Sequence, residues 1–221
     1  MVTPSDEFQA EKRAAALVAV DLVADGMRVG LGTGTTVAEL VPALARRRLA
    51  IVCVATSPAT ERLAAAEGLD VGPFDGLDRL DIAIDGADQV DPACWLVKGG
   101  GGAHTRERVV AAAADRFVVI VSSNKLVGRL HPPVPLELLN FGVGATLRAV
   151  GATTLRDAPP TPDGGVLADY AGRVDDPADL AARLDLVPGV VSHGLFPPSM
   201  VDTVLVARGD GVDAVRPAVG L

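Results

Sequence analysis

Arg28-Val29-Gly30-Leu31-Gly32-Thr33-Gly34-Thr35-Thr36 is the stretch of this 221-residue chain whose reading decides the fold. Residues 28–31 form a short apolar run suited to a strand, and an apolar helical pattern occupies residues 37–47. Between them the glycines let the backbone turn sharply. The turn is not a dinucleotide fingerprint, because Thr35 takes the place of the third glycine in G-x-G-x-x-G. Nor is it a P-loop, since no Lys-Ser/Thr pair follows. It offers the free N–H groups of a helix start and the hydroxyls of Thr33, Thr35 and Thr36, which suit a small phosphate ester. The alternative is a glycine-rich strand–helix turn that binds nothing.

The same alternation continues outward. Residues 6–24 carry helical apolar spacing, with Ser5 as a cap and Gly26 just past the end. Residues 50–55 read as a buried strand, 59–67 as a helix, 80–84 as a strand ending at Asp85, 105–115 as a helix and 117–121 as a strand. Strands alternating with helices through short loops predict an α/β fold, a mostly parallel doubly wound (Rossmann-like) sheet covered on both faces. Ligands collect beyond the carboxyl ends of such strands. After Leu130 the pattern changes. Pro132, Pro133 and Pro135 interrupt it, Pro162-Asp163-Gly164-Gly165 forms a turn between short strands, and a helix over 177–186 precedes a strand near Val190-Val191. These features predict a second, smaller α+β domain over 131–202. Residues 203–207 would return to the main sheet, giving a main domain of 1–130 and 203–221.

Composition narrows the function. The chain is 49% hydrophobic with a net charge of −8, and has no basic stripe, so nucleic acid and anionic membrane are poor partners. No apolar stretch reaches spanning length and the first dozen residues are polar and acidic, which reads as cytoplasmic. Cys53 and Cys94 show no metal or disulfide spacing and are expected to be buried thiols. His104, His131 and His193 lie apart from one another and from metal-spaced partners, and structural roles are expected. No Gly-x-Ser-x-Gly elbow is present. Only three of the 20 lysine and arginine residues are lysines: Lys12, Lys98 and Lys125. A lysine is a compact point charge whose pKa shifts readily, unlike an arginine.

Two segments bring chemistry to the strand ends. Asp85-Gly86-Ala87-Asp88 places two carboxylates three residues apart; crowding them raises at least one pKa and suits acid–base work. A divalent metal site or a plain turn would use the same residues. Lys98-Gly99-Gly100-Gly101-Gly102-Ala103-His104-Thr105-Arg106-Glu107 sets four glycines between a lysine and a glutamate. Ordering four glycines costs much chain entropy and marks close backbone approach to a partner. Taken alone, Glu107 also fits a favourable charge in the first turn of a helix, and Lys98 a solvated strand end.

In combination these segments resemble ribose-5-phosphate isomerase, type A. The match runs in order through the 30–36 loop, Thr56-Ser57, Thr60-Glu61, Asp85-Gly86-Ala87-Asp88 and residues 98–107. It continues through Ser123-Asn124-Lys125, Pro135-Leu136-Glu137, Pro188-Gly189-Val190-Val191 and Gly194-Leu195-Phe196, covering residues 8–207. The resemblance implies a cofactor-free aldose–ketose isomerase that interconverts ribose 5-phosphate and ribulose 5-phosphate through an enediolate, in the pentose phosphate pathway. It assigns the proton transfer between C1 and C2 to Glu107, ring opening to Asp85, and the reacting oxygens to Asp88 and Lys98. Gly99 and Gly100 would line the same site. Phosphate contacts fall to Thr33, Gly34, Thr35, Thr36, Lys125 and Lys12, no metal is implied, and a homodimer or homotetramer is expected. Gln89, His104 and Asn124 depart from the family pattern. Another sugar-phosphate enzyme, an amino-sugar isomerase–deaminase, would want a histidine near Asp85. A sugar-phosphate sensor would have no reason to keep Asp85, Asp88, Lys98 and Glu107 together.

Overall fold

The computed structural model describes residues 4–209 and 211–218. After α1 (Pro4–Val20) the chain runs through β1 (Arg28–Leu31), α2 (Thr35–Arg46), β2 (Val52–Ala55), α3 (Pro58–Ala66) and β3 (Asp70–Val71). Next come β4 (Ile82–Asp85), β5 (Gln89–Val90), β6 (Leu96–Val97), α4 (His104–Ala112) and β7 (Phe117–Ser122). A second group holds β8 (Val134–Leu138), α5 (Val143–Val150), β9 (Thr153–Leu155), β10 (Val166–Tyr170), α6 (Pro177–Asp185) and β11 (Val190–His193). The strands β12 (Leu195–Phe196), β13 (Thr203–Arg208) and β14 (Gly211–Val215) complete the described chain.

The main sheet has the order β14-β13-β7-β4-β1-β2-β3 and is parallel except where β14 pairs antiparallel with β13. Its central strands β7, β4 and β1 are mostly apolar and buried because both faces are covered. On β7, Val118 and Ile120 join the core under α1 and α2. Val119 and Val121 join the opposite core with Val110 and Ala111 of α4. The chain builds outward from β1 to β2 and β3, then returns to place β4 on the other side of β1. That reversal makes the carboxyl ends of β1 and β4 the switch point of the sheet, where a crevice opens. Residues 28–36 and Asp85 meet there.

Residues 203–208 enter the main sheet beside β7, as the sequence predicts. The second group forms an antiparallel four-stranded sheet, β11-β8-β10-β9. A third sheet, β12-β6-β5, escapes sequence reading because two-residue strands carry no periodicity. The helix α5 was also not expected.

Several boundaries differ for local reasons. The strand expected over 80–84 starts at Ile82, since Leu80 only bridges Ala114 and the Asp81 carboxylate accepts from the Arg28 N–H. The strand expected over 50–55 starts at Val52, because Ala50 bonds Asp25 and Gly26 instead of the ladder. α1 ends at Val20, and Ser5 falls inside its first turn instead of before it. The outermost residues of the expected main domain, 1–3 and 219–221, lie outside the described residues, as does residue 210.

Candidate active site

The first wall of the crevice is the turn between β1 and α2. Gly32 donates its N–H to the Ile84 carbonyl at 3.0 Å, and Thr33 donates its own to Asp85 Oδ1 at 3.0 Å. The fit leaves no room for a side chain: a Cβ on Gly32 would lie 1.9 Å from the Asp85 carboxyl. Gly34 follows with φ +119°, a conformation natural to glycine, and caps α2 without a side-chain hydrogen bond. The first N–H groups of α2 therefore face the crevice with the dipole of a twelve-residue helix behind them. The Thr33 hydroxyl is braced by Thr56 Oγ1 at 2.8 Å, and Thr60 donates to the Gly32 carbonyl at 2.8 Å.

The second wall is the glycine loop after β6. Asp88 and Lys98 are set by backbone bonds, from Asp88 N to the Val97 carbonyl and from Lys98 N to the Gly194 carbonyl, each 2.8 Å. The Asp88 carboxylate accepts from Gly100 N at 2.7 Å, which pins the loop to the strand end. Gly99 has φ +99° and would drive a Cβ to within 2.6 Å of His104, and Gly102 has φ +77° against Leu167.

Between the walls lies a buried ionic group. Lys98 Nζ stands 2.8 Å from Asp85 Oδ2 and 3.2 Å from Glu107 Oε2, and also donates to the Gly86 carbonyl. Lys98 is 2% exposed, Asp85 3% and Glu107 5%. The Phe196 ring lies beneath, with Nζ 5.6 Å from its centroid. Burial alone would push the Lys98 ammonium down, but Asp85 and then Glu107 hold it above its ordinary value. Burial, with the Asp85 charge adding to it, pushes Glu107 up to about 8 against the pull of Lys98. Burial raises Asp85 as well, opposed by Lys98 and by the N–H groups of Gly86 and Thr33. One ammonium serves two carboxylates, so near neutral pH the group is poised to hold or release a proton.

The walls enclose a cavity of about 100 Å³, lined by residues 33–36, 86–88 and 98–101 with Glu107 and Lys125. Sequence-predicted Thr33, Gly34, Thr35, Thr36, Asp88, Lys98, Gly99, Gly100, Glu107 and Lys125 are thus brought together. Asp85 stands behind Lys98 and not on the cavity wall. Lys12 lies partly exposed on α1 and does not line the cavity. The neighbouring Glu11 explains the placing of Lys125: its buried carboxylate accepts from Ser123 N at 2.8 Å and Gly209 N at 3.1 Å, tying α1 to the turn that holds Lys125.

The three departures from the family pattern do not line the cavity. Gln89 uses its amide on the backbone of His131, donating to the carbonyl at 2.8 Å and accepting from N at 2.9 Å. His104 is fully buried beneath Gly99, and burial holds its imidazole down to about 3, so it is neutral. Asn124 accepts from the Ser122 hydroxyl. The expectation of structural histidines extends to His193, which is buried against Asp185 and Arg108. Both cysteines are free and buried. Among the described residues no three His, Cys, Asp or Glu side chains gather as a metal-ligating group. None of the helices there is long and apolar enough to cross a membrane.

Sequence reasoning gave no role to Phe196, Gly194 or Arg156. The first two sit in a motif that the resemblance contains, Gly194-Leu195-Phe196. Arg156 lies in no such motif, yet its guanidinium reaches the glycine loop from β10's neighbour chain segment after β9. A wider groove of about 770 Å³ runs along α4 past Phe74 and Leu139; it contains neither Lys98 nor Glu107.

Comparison with known proteins agrees with this geometry. The family described as ribose 5-phosphate isomerase A (phosphoriboisomerase A) matches residues 52–211. A ribose-5-phosphate isomerase A of Sphingopyxis alaskensis is 44% identical over 93% of this chain and 96% of its own length. The crystal structure of ribose 5-phosphate isomerase A from Neisseria gonorrhoeae superposes with a TM-score of 0.92 at 31% identity, covering 99% of each chain. The enzyme from Methanocaldococcus jannaschii gives 0.89 at 34% identity, over 94% of this chain and 99% of that one. With its fold, its crevice and these relatives in agreement, the chain belongs to the ribose-5-phosphate isomerase A family, which interconverts ribose 5-phosphate and ribulose 5-phosphate in the pentose phosphate pathway.

Proposed function

We propose that this chain carries out that aldose–ketose isomerisation in the cavity between the threonine turn and the glycine loop, without a cofactor, and through an enediolate. The buried group of Asp85, Lys98 and Glu107 is the observation that supports it most. Isomerisation moves one proton between adjacent carbons and leaves a transient negative charge on an oxygen. It needs a base that reaches both carbons, a positive group beside that oxygen and a fixed anchor at the far end of the sugar.

Glu107 is the base. Raised to about 8, it binds a proton strongly enough to take one from carbon and releases it again at the neighbouring carbon. Lys98, kept charged by the carboxylates beside it, stabilises the developing oxyanion. Asp88, on the cavity wall, orients the reacting hydroxyls. Asp85 assists ring opening and meets the cavity through Lys98. The phosphate is held by Thr33, Gly34, Thr35 and Thr36 at the start of α2 and by Lys125, with Lys12 as an outer contact; Gly99 and Gly100 back the sugar.

The domain division is part of the same reading: residues 1–130 and 203–221 carry these groups, and 131–202 form the smaller domain that supports the glycine loop. A homodimer or homotetramer in the cytoplasm fits the resemblance. The test is turnover of ribose 5-phosphate by the purified protein in excess chelator. Sustained conversion is expected; no conversion, or conversion lost to chelator alone, would overturn the cofactor-free reading.

A further inference from the structure

Arg156 reaches the glycine loop from outside the main domain. Its Nε and Nη2 donate to the two oxygens of Asp169 on β10, at 2.8 and 2.6 Å, a bidentate pair that fixes the plane of the guanidinium. Its Nη1 donates to the Gly99 carbonyl at 2.9 Å and the Gly100 carbonyl at 3.1 Å. The side chain is mostly buried, at 18% exposure. Each contact is directed, and together they use the planar fork of donors that arginine has and lysine lacks.

The consequence follows from the peptide itself. In a trans peptide the carbonyl and the next N–H point in opposite directions. With the Gly99 carbonyl drawn to Arg156, the Gly100 N–H faces away and meets Asp88 at 2.7 Å. With the Gly100 carbonyl drawn to the same nitrogen, the Gly101 N–H also faces away from Arg156, and Gly101 itself lines the cavity near Thr33. Within the loop only the Gly102 N–H, 3.0 Å from the Gly99 carbonyl, helps to set this orientation, and it leaves the Gly100 carbonyl to Arg156.

The geometry points to Arg156, anchored by Asp169, as a positioning residue that turns the loop peptides so that the Gly101 N–H becomes an oxyanion donor beside Lys98. The inference rests on the isomerase reading above and adds to it a residue of the smaller sheet that touches no substrate. It gives that sheet a part in the chemistry: β10 braces the loop at Gly102 through Leu167 and, through Asp169, at Gly99 and Gly100.

The test uses the full-length chain with Arg156→Ala, Arg156→Lys and Asp169→Asn. The readouts are kcat and KM for ribose 5-phosphate, the thermal midpoint, and affinity for two probes, inorganic phosphate and phospho-erythronic acid. The second probe, bound in the structure of a relative, carries a carboxylate as well as a phosphate. Arg156→Ala is expected to lower kcat roughly tenfold to a hundredfold, the range for a displaced catalytic geometry. It should weaken phospho-erythronic acid by about tenfold and leave inorganic phosphate within about twofold, since the phosphate wall is separate. Arg156→Lys should not restore kcat, having no planar fork. Asp169→Asn keeps Arg156 while loosening its anchor and should fall between; it carries the test if the alanine variant does not fold. A kcat within about threefold of the parent in folded Arg156→Ala, or an equal loss of both probes, would overturn the positioning role, as would full rescue by lysine. A parent chain that binds phosphate but does not isomerise would instead overturn the isomerase reading and take this role with it.

Discussion

The two walls of the cavity are both glycine loops at strand ends, yet they are held in different ways. The turn of residues 32–36 is fixed by its immediate surroundings: the end of β4, the start of α2 and the hydroxyls of Thr56 and Thr60. The loop of residues 98–102 is held by Asp88 and His104 close by, and also from the smaller sheet, with Leu167 and Arg156 behind it and Gly194 against its base. The first wall presents a helix start, a fixed field suited to a dianion that does not react. The second presents a buried charge and adjustable peptides, suited to charge that moves. Under the proposed function, the wall held within the main sheet binds, and the wall also held from the smaller sheet carries the chemistry. Substitutions should therefore separate into effects on KM and effects on kcat.

The largest effect is expected on the chemical wall. Glu107→Gln should lower kcat by roughly two orders of magnitude or more with little change in KM, read by steady-state kinetics. In the parent, kcat/KM should fall as pH drops below about 8, because the base must be ionised; the glutamine variant should lack that limb. Stability moves the opposite way. The folded chain holds the Glu107 proton more tightly than the unfolded chain, so the stability that proton brings is complete below about pH 4.5. It is lost as pH rises through about 8, and at pH 9 the glutamine variant should melt no lower than the parent. A variant with near-normal kcat would reduce Glu107 to a helix-end charge.

Lys98→Arg comes next. A wider planar head cannot occupy a site 2.8 Å from Asp85 and 3.2 Å from Glu107 without displacing one of them, so kcat should fall roughly tenfold to a hundredfold. Normal turnover would show that the scarcity of lysine in this chain has no chemical meaning. On the binding wall, Lys125→Ala should raise KM by about tenfold and change kcat much less, as expected for one charged contact to phosphate. A fall in kcat with unchanged KM would erase the distinction between the walls. Lys12→Ala should change either constant by no more than about threefold, since Lys12 does not line the cavity.

The same contrast explains how much could be read from the sequence. The threonine-turn wall was legible, because strand, glycine turn and helix start follow one another within nine residues. Glu107 and Lys98 were legible as candidates through the glycines between them. Their contact with Asp85 was not, because it depends on β4 and β6 leaving different sheets side by side. Asp85 itself was expected as an open participant, and burial behind Lys98 is a property of three dimensions. The strands β5, β6 and β12 were too short to show periodicity, and the departures at Gln89 and His104 were adjacent to the site in sequence without lining its cavity. Arg156 gave no signal at all among so many arginines, because its partners are carbonyls, which every residue carries.

The place of β13 between β14 and β7 has a consequence for biosynthesis. β7 is buried along all six residues and apolar along the first five, and its outer edge is paired only when residues 203–208 arrive, after the whole smaller sheet has been made. During translation the nascent sheet therefore carries an open, sticky margin for several seconds at ordinary synthesis rates. A chain that ends before residue 203 would keep that margin exposed permanently.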